Sequence, residues 1–228
     1  GTAEPTPPDY QLNIIGGFTD AFHFHPIIVR DSTATIYLHN NMLDYNHSYY
    51  VTIDEGVLTL PDHSFHGISK EHNWSFKTKD SAPASTDTLI VDANGQGDFN
   101  TVQGALDFIP DFSQKQTVIL IQAGDYEELV YARNKTNVKI KGAGMDRTRV
   151  HYANNEVFNP HPLTVKTNEW PGTFPSRRAA FMLDNCSDIL LEGLTIATDL
   201  HGQAEGLLLN GERIALYSVH IIGSGDAL

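Results

Sequence analysis

The fold is decided by two stretches, Asn185-Cys-Ser-Asp-Ile189-Leu-Leu191 and Asn210-Gly-Glu-Arg-Ile214-Ala-Leu216. Each opens on Asn, meets an aliphatic residue four positions later and another two after that. The match continues from Leu194 to Val219 and from Ile196 to Ile221, at an offset of 25 residues. A third copy, Asn134-Lys-Thr-Asn-Val138-Lys-Ile140, lies 51 residues before the first, about two such periods. Short apolar strands and turns at a fixed period predict a β-solenoid, whose coils bury their apolar faces only by stacking. Asn suits a repeated corner, because it tolerates left-handed backbone and can ladder with its equivalents.

Upstream of the repeat, Thr88-Leu-Ile-Val91 reads as a strand and 92–98 as a turn-rich loop. Phe99, Val102, Ala105, Leu106 and Ile109 recur at helical spacing, which predicts an amphipathic helix of about three turns ended by Pro110. Asp98 or Asn100 can cap it, with Gln103 as the partner of Asn100 in a capping box. Such a helix would cover the open first coil, whose strand edges otherwise invite aggregation. Residues 153–175, rich in Asn, Pro and Thr and carrying Trp170 and Phe174, read as an excursion from one coil.

Residues 80–87, small, polar and proline-containing, read as a linker. Before them, β-branched or aromatic runs at Gln11 to Ile15, Ile27 to Arg30, Thr33 to Leu38 and Tyr49 to Ile53 alternate with turn residues. That pattern predicts a small β-sandwich over 1–79. The fold class is therefore all-β: a sandwich, then a solenoid over 88–228.

Hydrophobic residues make up 40% of the 228, enough for a sizeable core. The net charge is −13 with no basic block, which argues against nucleic acid and against docking on anionic lipid. No apolar run approaches the ~18 residues a membrane span needs. The single Cys186 excludes an internal disulfide and reads as a buried, inert thiol.

Several segments of 88–228 together resemble the pectin methylesterases, in order and in spacing. They are Val91-Asp-Ala-Asn-Gly-Gln-Gly-Asp-Phe-Asn-Thr-Val-Gln-Gly-Ala-Leu-Asp-Phe-Ile-Pro110, Ile119-Leu-Ile-Gln-Ala-Gly-Asp-Tyr-Glu-Glu128, Val138-Lys-Ile-Lys-Gly-Ala-Gly144, Gln203-Ala-Glu-Gly-Leu-Leu-Leu209 and Gly223-Ser-Gly-Asp-Ala-Leu228. The fourth is similar to a Gln-Ala-Val-Ala-Leu motif, the last to Gly-Tyr-Gln-Asp-Thr-Leu. The resemblance implies a right-handed parallel β-helix that removes methyl esters from galacturonan, releasing methanol with water and without metal or organic cofactor. It implies Asp226 as acid/base and Gln203 as an oxyanion donor. A second oxyanion glutamine is replaced by Gly225, for which Ser224 is a candidate substitute. The nucleophilic Asp and the Arg of the family lie beyond its acid/base motif, so this chain reads as a fragment of a longer enzyme. Residues 65–69 and 73–78 resemble Ig-like domains of secreted bacterial polysaccharide enzymes, which implies a secreted bacterial parent.

Other readings are weighed on the residues. Asp184, Asp188, Asp199 and Glu205 read as turn or surface carboxylates. Gly223-Ser-Gly225 lacks the spacing of a nucleophile elbow. His23, His25, His63 and His66 with Asp62 match no recognised metal pattern. Rival functions are a carbohydrate-binding or adhesive solenoid that has lost its site, and an esterase or lyase for another acidic polysaccharide.

Overall fold

The computed structural model describes residues 27–31, 33–37, 43–57, 65–72, 74–160 and 177–228. They form two compact units, one of residues 40–82 and one joining the segment before 40 to 83–228. The first unit is shorter than the 1–79 domain read from the sequence. The hairpin β1 (Ile27–Arg30) and β2 (Thr33–Ile36) groups with the solenoid. The physical tie is Arg30, whose guanidinium donates to both carboxylate oxygens of Glu127 at 2.5 and 2.6 Å. In the 40–82 unit, β3 (Ser48–Tyr50) pairs antiparallel with β4 (Ser75–Lys77), and Tyr49 stacks on Phe76 at 5.7 Å. His66 faces Glu55 at 2.9 Å. Gln11 to Ile15, His23, His25, Asp62 and His63 lie outside the described residues.

From residue 88 the strands run β5 (Thr88–Val91), β6 (Thr117–Ile121), β7 (Gly124–Glu127), β8 (Val130–Arg133), β9 (Thr136–Gly142), β10 (Thr148–Tyr152), β11 (Phe181–Thr198) and β12 (Leu207–Ile222). They pair only in parallel, in three ladders. One is β5–β6–β9 followed by 187–192 of β11 and 212–217 of β12. The second is β7–β10 with the ends of β11 and β12, and the third is β8 with their beginnings. A chain that returns to the same three ladders in the same order is a parallel β-solenoid.

The 25-residue offset is the register of the last two coils: Ile189 faces Ile214, Leu191 faces Leu216, and Leu194 faces Val219. The 51-residue spacing is a correction. Val138 pairs directly with Ile189 and Ile140 with Leu191, so this is one coil and not two. Its extra length is the excursion after β10, whose Phe158 packs with Tyr131, Tyr152 and Met182 over the outer face of the third ladder. Trp170 and Phe174 lie outside the described residues. Inside, alternation on each strand stacks Leu89, Ile119, Ile140 and Leu191 into one apolar column, each 1% exposed or less.

The Asn corner holds for one step. Asn134 and Asn185 are left-handed, at φ 61° and 50°, and Asn185 Nδ2 donates to Asn134 Oδ1 at 2.7 Å. The register then slips, placing Asn210 opposite Asp184 with a 2.7 Å bond between them. Gly211 comes opposite Cys186, whose carbonyl oxygen would sit 2.0 Å from any Cβ at 211. Only glycine fits that step. Cys186 is buried, and burial pushes its thiol up to about 11, so it stays protonated.

The helix α1 (Val102–Phe108) is shorter than the predicted three turns. Its cap is Thr101, whose hydroxyl accepts from Gly104 N–H at 3.1 Å. Asp98 is otherwise engaged, accepting from Ile90 N–H. Gln103 turns inward and spans the backbone N–H and C=O of Tyr131. The carboxylate of Glu128 accepts the free N–H groups of Val102 and Gln103 at 2.7 and 2.9 Å, anchoring α1 to the first coil.

Burial pushes the Glu128 carboxyl up from its ordinary 4.5 to about 7, although these two bonds favour the anion. A carboxyl raised on folding stabilises the fold when protonated, so stability falls as pH rises from about 4.5 through about 7. Glu128→Gln should flatten that fall, on the order of 2–3 kcal/mol in full, read as the difference in urea midpoints between pH 4.5 and 8.

Candidate active site

Gln203 and Asp226 stand on two turn segments that the ladders bring side by side. Residue 203 lies just before β12 and residue 226 just after it. The segments lock by backbone bonds: Ala204 N–H to Ser224 O at 2.9 Å, Ser224 N–H to Ala204 O at 2.7 Å, and Gly206 N–H to Ala227 O at 3.1 Å. Gly202 N–H also donates to Ser224 Oγ at 3.1 Å. That bond uses a lone pair of the hydroxyl and leaves its proton free to donate. Both Gln203 and Asp226 are exposed.

Gly225 lies against Gln203. A Cβ at 225 would come within 3.5 Å of the Gln203 Oε1 and 2.9 Å of the Gly202 carbonyl oxygen. The backbone there is left-handed, φ 88°. The position thus suits glycine and resists a side chain.

An open cavity of about 400 Å³ is lined by Glu205, Leu207, Leu208, Leu209, Asp226 and Leu228. It brings Asp226 together with Glu205, read from the sequence as a surface carboxylate. Glu205 is 6% exposed, and Arg178 Nε donates to its Oε1 at 2.5 Å. The signal for it was a charged residue where the motif has valine, immediately before an apolar run. Asp184 is likewise not superficial: it is fully buried, bonded to Arg133 Nε at 2.9 Å and to Asn210. Asp188 is a surface carboxylate, paired with Arg213 at 2.7 and 2.8 Å.

Asp199 belongs to a separate polar network on the second ladder. It bonds to His151 and, at 2.7 Å, to Arg149. Burial opposes its ionisation, yet the contacts with His151 and Arg149 outweigh that and hold its carboxyl below the usual range. Glu127, His151 and Asp199 have metal-like spacing. Arg30 and Arg149 already neutralise the two carboxylates, so the donor set fits internal ion pairing better than a cation.

The structure thus defines a class, a parallel β-solenoid that carries a carboxamide and a carboxylate on neighbouring turns. Residues 88–228 match the pectinesterase family, and the chain belongs to that family. It is similar to "Probable pectinesterase 8" of Arabidopsis thaliana, 29% identical over 154 residues, covering 66% of this chain and 38% of the relative. It is also similar to "Pectinesterase QRT1" of the same plant, 27% identical over 173 residues, covering 71% and 44%. Among solved structures, pectin methylesterase from carrot matches with a TM-score of 0.49 and 24% identity, covering 62% of this chain and 41% of that one. The chain spans less than half the length of these curated relatives. Among the described residues, no helix is long and apolar enough to cross a membrane.

Gly225→Gln tests the local geometry. It should lower the denaturant-derived stability by about 1–3 kcal/mol, because a side chain is forced into left-handed backbone against a carbonyl. A variant as stable as the parent would show that the turn relaxes freely.

Proposed function

We propose that the intact protein is a secreted pectin methylesterase that hydrolyses methyl esters of galacturonan and releases methanol. The observation that carries this is the locked pairing of the Gln203 and Asp226 segments in a chain of the pectinesterase family. Gln203 donates its amide N–H to the oxyanion that forms as the ester carbonyl is attacked. Asp226, as the acid, protonates the departing methoxide, and its carboxylate then takes a proton from the water that completes hydrolysis. Ser224 can add a second donor, its proton being uncommitted. The resemblance implies that the nucleophilic Asp and the Arg follow the acid/base motif in sequence. A bacterial origin and an Ig-like first domain are part of this reading; they rest on the likeness of residues 65–69 and 73–78.

A second reading, a carbohydrate-binding solenoid without catalysis, is favoured by one feature. Gly225 leaves no side chain where the resemblance implies an oxyanion donor, and losing one such donor costs roughly 10²–10³ in rate.

Methanol release from highly methylated pectin decides between them. The intact protein should release methanol, and Asp226→Asn should reduce kcat by about 10²–10⁴ with melting temperature unchanged. Absence of release from the parent would overturn the esterase reading and favour the binding one. With a net charge of −13, the protein should also work faster as methylation of the pectin increases, since each ester removes a repelling carboxylate. Initial rates across a graded methylation series check this, and a rate that rises as methylation falls would contradict it.

A further inference from the structure

Among the described residues, the Gln203 carboxamide makes no hydrogen bond. Its position therefore depends on its backbone. On one side Ser224 grips the neighbouring Ala204. On the other side the excursion after β10 reaches in, with Glu156 N–H donating to the Gln203 carbonyl at 2.9 Å and Asn155 Nδ2 donating to the His201 carbonyl at 3.1 Å. Arg178 closes this second grip. Its Nε bonds Glu205 Oε1 at 2.5 Å and its Nη1 bonds Glu156 Oε2 at 3.2 Å, joining the two segments that meet at Gln203.

We propose that Arg178 is a positioning residue that sets the oxyanion donor Gln203 by bridging Glu156 to Glu205. This deepens the esterase reading and rests on it. The physical case is charge. Glu205 is buried, its side chain 8% exposed, and Glu156 carries a second carboxylate to the same guanidinium. Without the cation, the buried Glu205 carboxylate loses its counter-charge and repels the half-exposed Glu156 carboxylate, which draws the Glu156 N–H away from the Gln203 carbonyl. Arg suits the task because its planar fork offers separate nitrogens to two partners, whereas Lys offers one point charge. A displacement of about 1 Å at an oxyanion donor is enough to cost on the order of 10²-fold in rate.

The experiment is a double-mutant cycle on methanol release by the intact protein, using Arg178→Met, Gln203→Ala and the pair, each well below its melting temperature. Arg178→Met should lower kcat by about 10- to 100-fold while KM stays within about twofold. Arg178→Lys should recover part of the loss. In the Gln203→Ala background, Arg178→Met should cost nothing further, because the group it positions is gone. Losses that multiply, or a change confined to KM, would overturn the proposal. Amide exchange at Glu156 is read in parallel without reference to activity. It should speed up in Arg178→Met and less in Arg178→Lys, and unchanged exchange would overturn the bridge itself. A parent that releases no methanol would instead overturn the esterase reading, and the exchange result would still decide whether Arg178 holds the segment.

Discussion

Everything in the larger unit depends on the parallel register between coils. Each coil lends its backbone N–H and C=O groups to the next, and its inward aliphatic residues lie over those of its neighbour. Neither contribution is available to a single coil, because a lone coil would leave both its ladder groups and its apolar face in water. The register also fixes where irregular segments emerge. Any turn at a given corner appears one coil-height from its counterpart, which is how residues 202–206 and 223–227 become hydrogen-bonded neighbours.

The site is thus a consequence of stacking with small local departures. Gly211 allows the last coil to be one residue shorter at the Asn corner, and Gly225 allows the final turn to lie against Gly202 and Gln203. Charged groups buried by these turns meet an opposite charge or a donor from another coil, although Glu205 Oε2 itself has no hydrogen-bond partner among the described residues. Asp184 is held by Arg133 from the coil below and Asn210 from the coil above. Glu205 is held by Arg178 of the preceding coil. Burying a carboxylate without such a partner would cost several kcal/mol. The ion pairs therefore tie neighbouring coils at the level of the site, while the aliphatic column supplies cohesion through the centre. The Gln203 and Asp226 side chains can then stay exposed on their turns, because the turns are fixed from beneath.

Much of this was legible in the chain. The repeat from Asn185 to Ile196 and from Asn210 to Ile221 determined a solenoid and its 25-residue register, because stacking requires equivalent residues at equivalent positions. The motif order determined the family, and the spacing of Phe99 to Ile109 determined that a helix follows the first strand. The tertiary structure decided what depends on partners distant in sequence. Whether 51 residues make one coil or two turned on a strand pairing, since length alone cannot distinguish an extra coil from a loop. The helix cap went to Thr101 because Asp98 was taken by Ile90 N–H. Asp184 and Glu205 look like turn carboxylates in one dimension, and only the arrival of Arg133 and Arg178 from another coil makes their burial affordable. Sequence pattern records which face a residue presents; the charge that meets it there is set by how the coils stack.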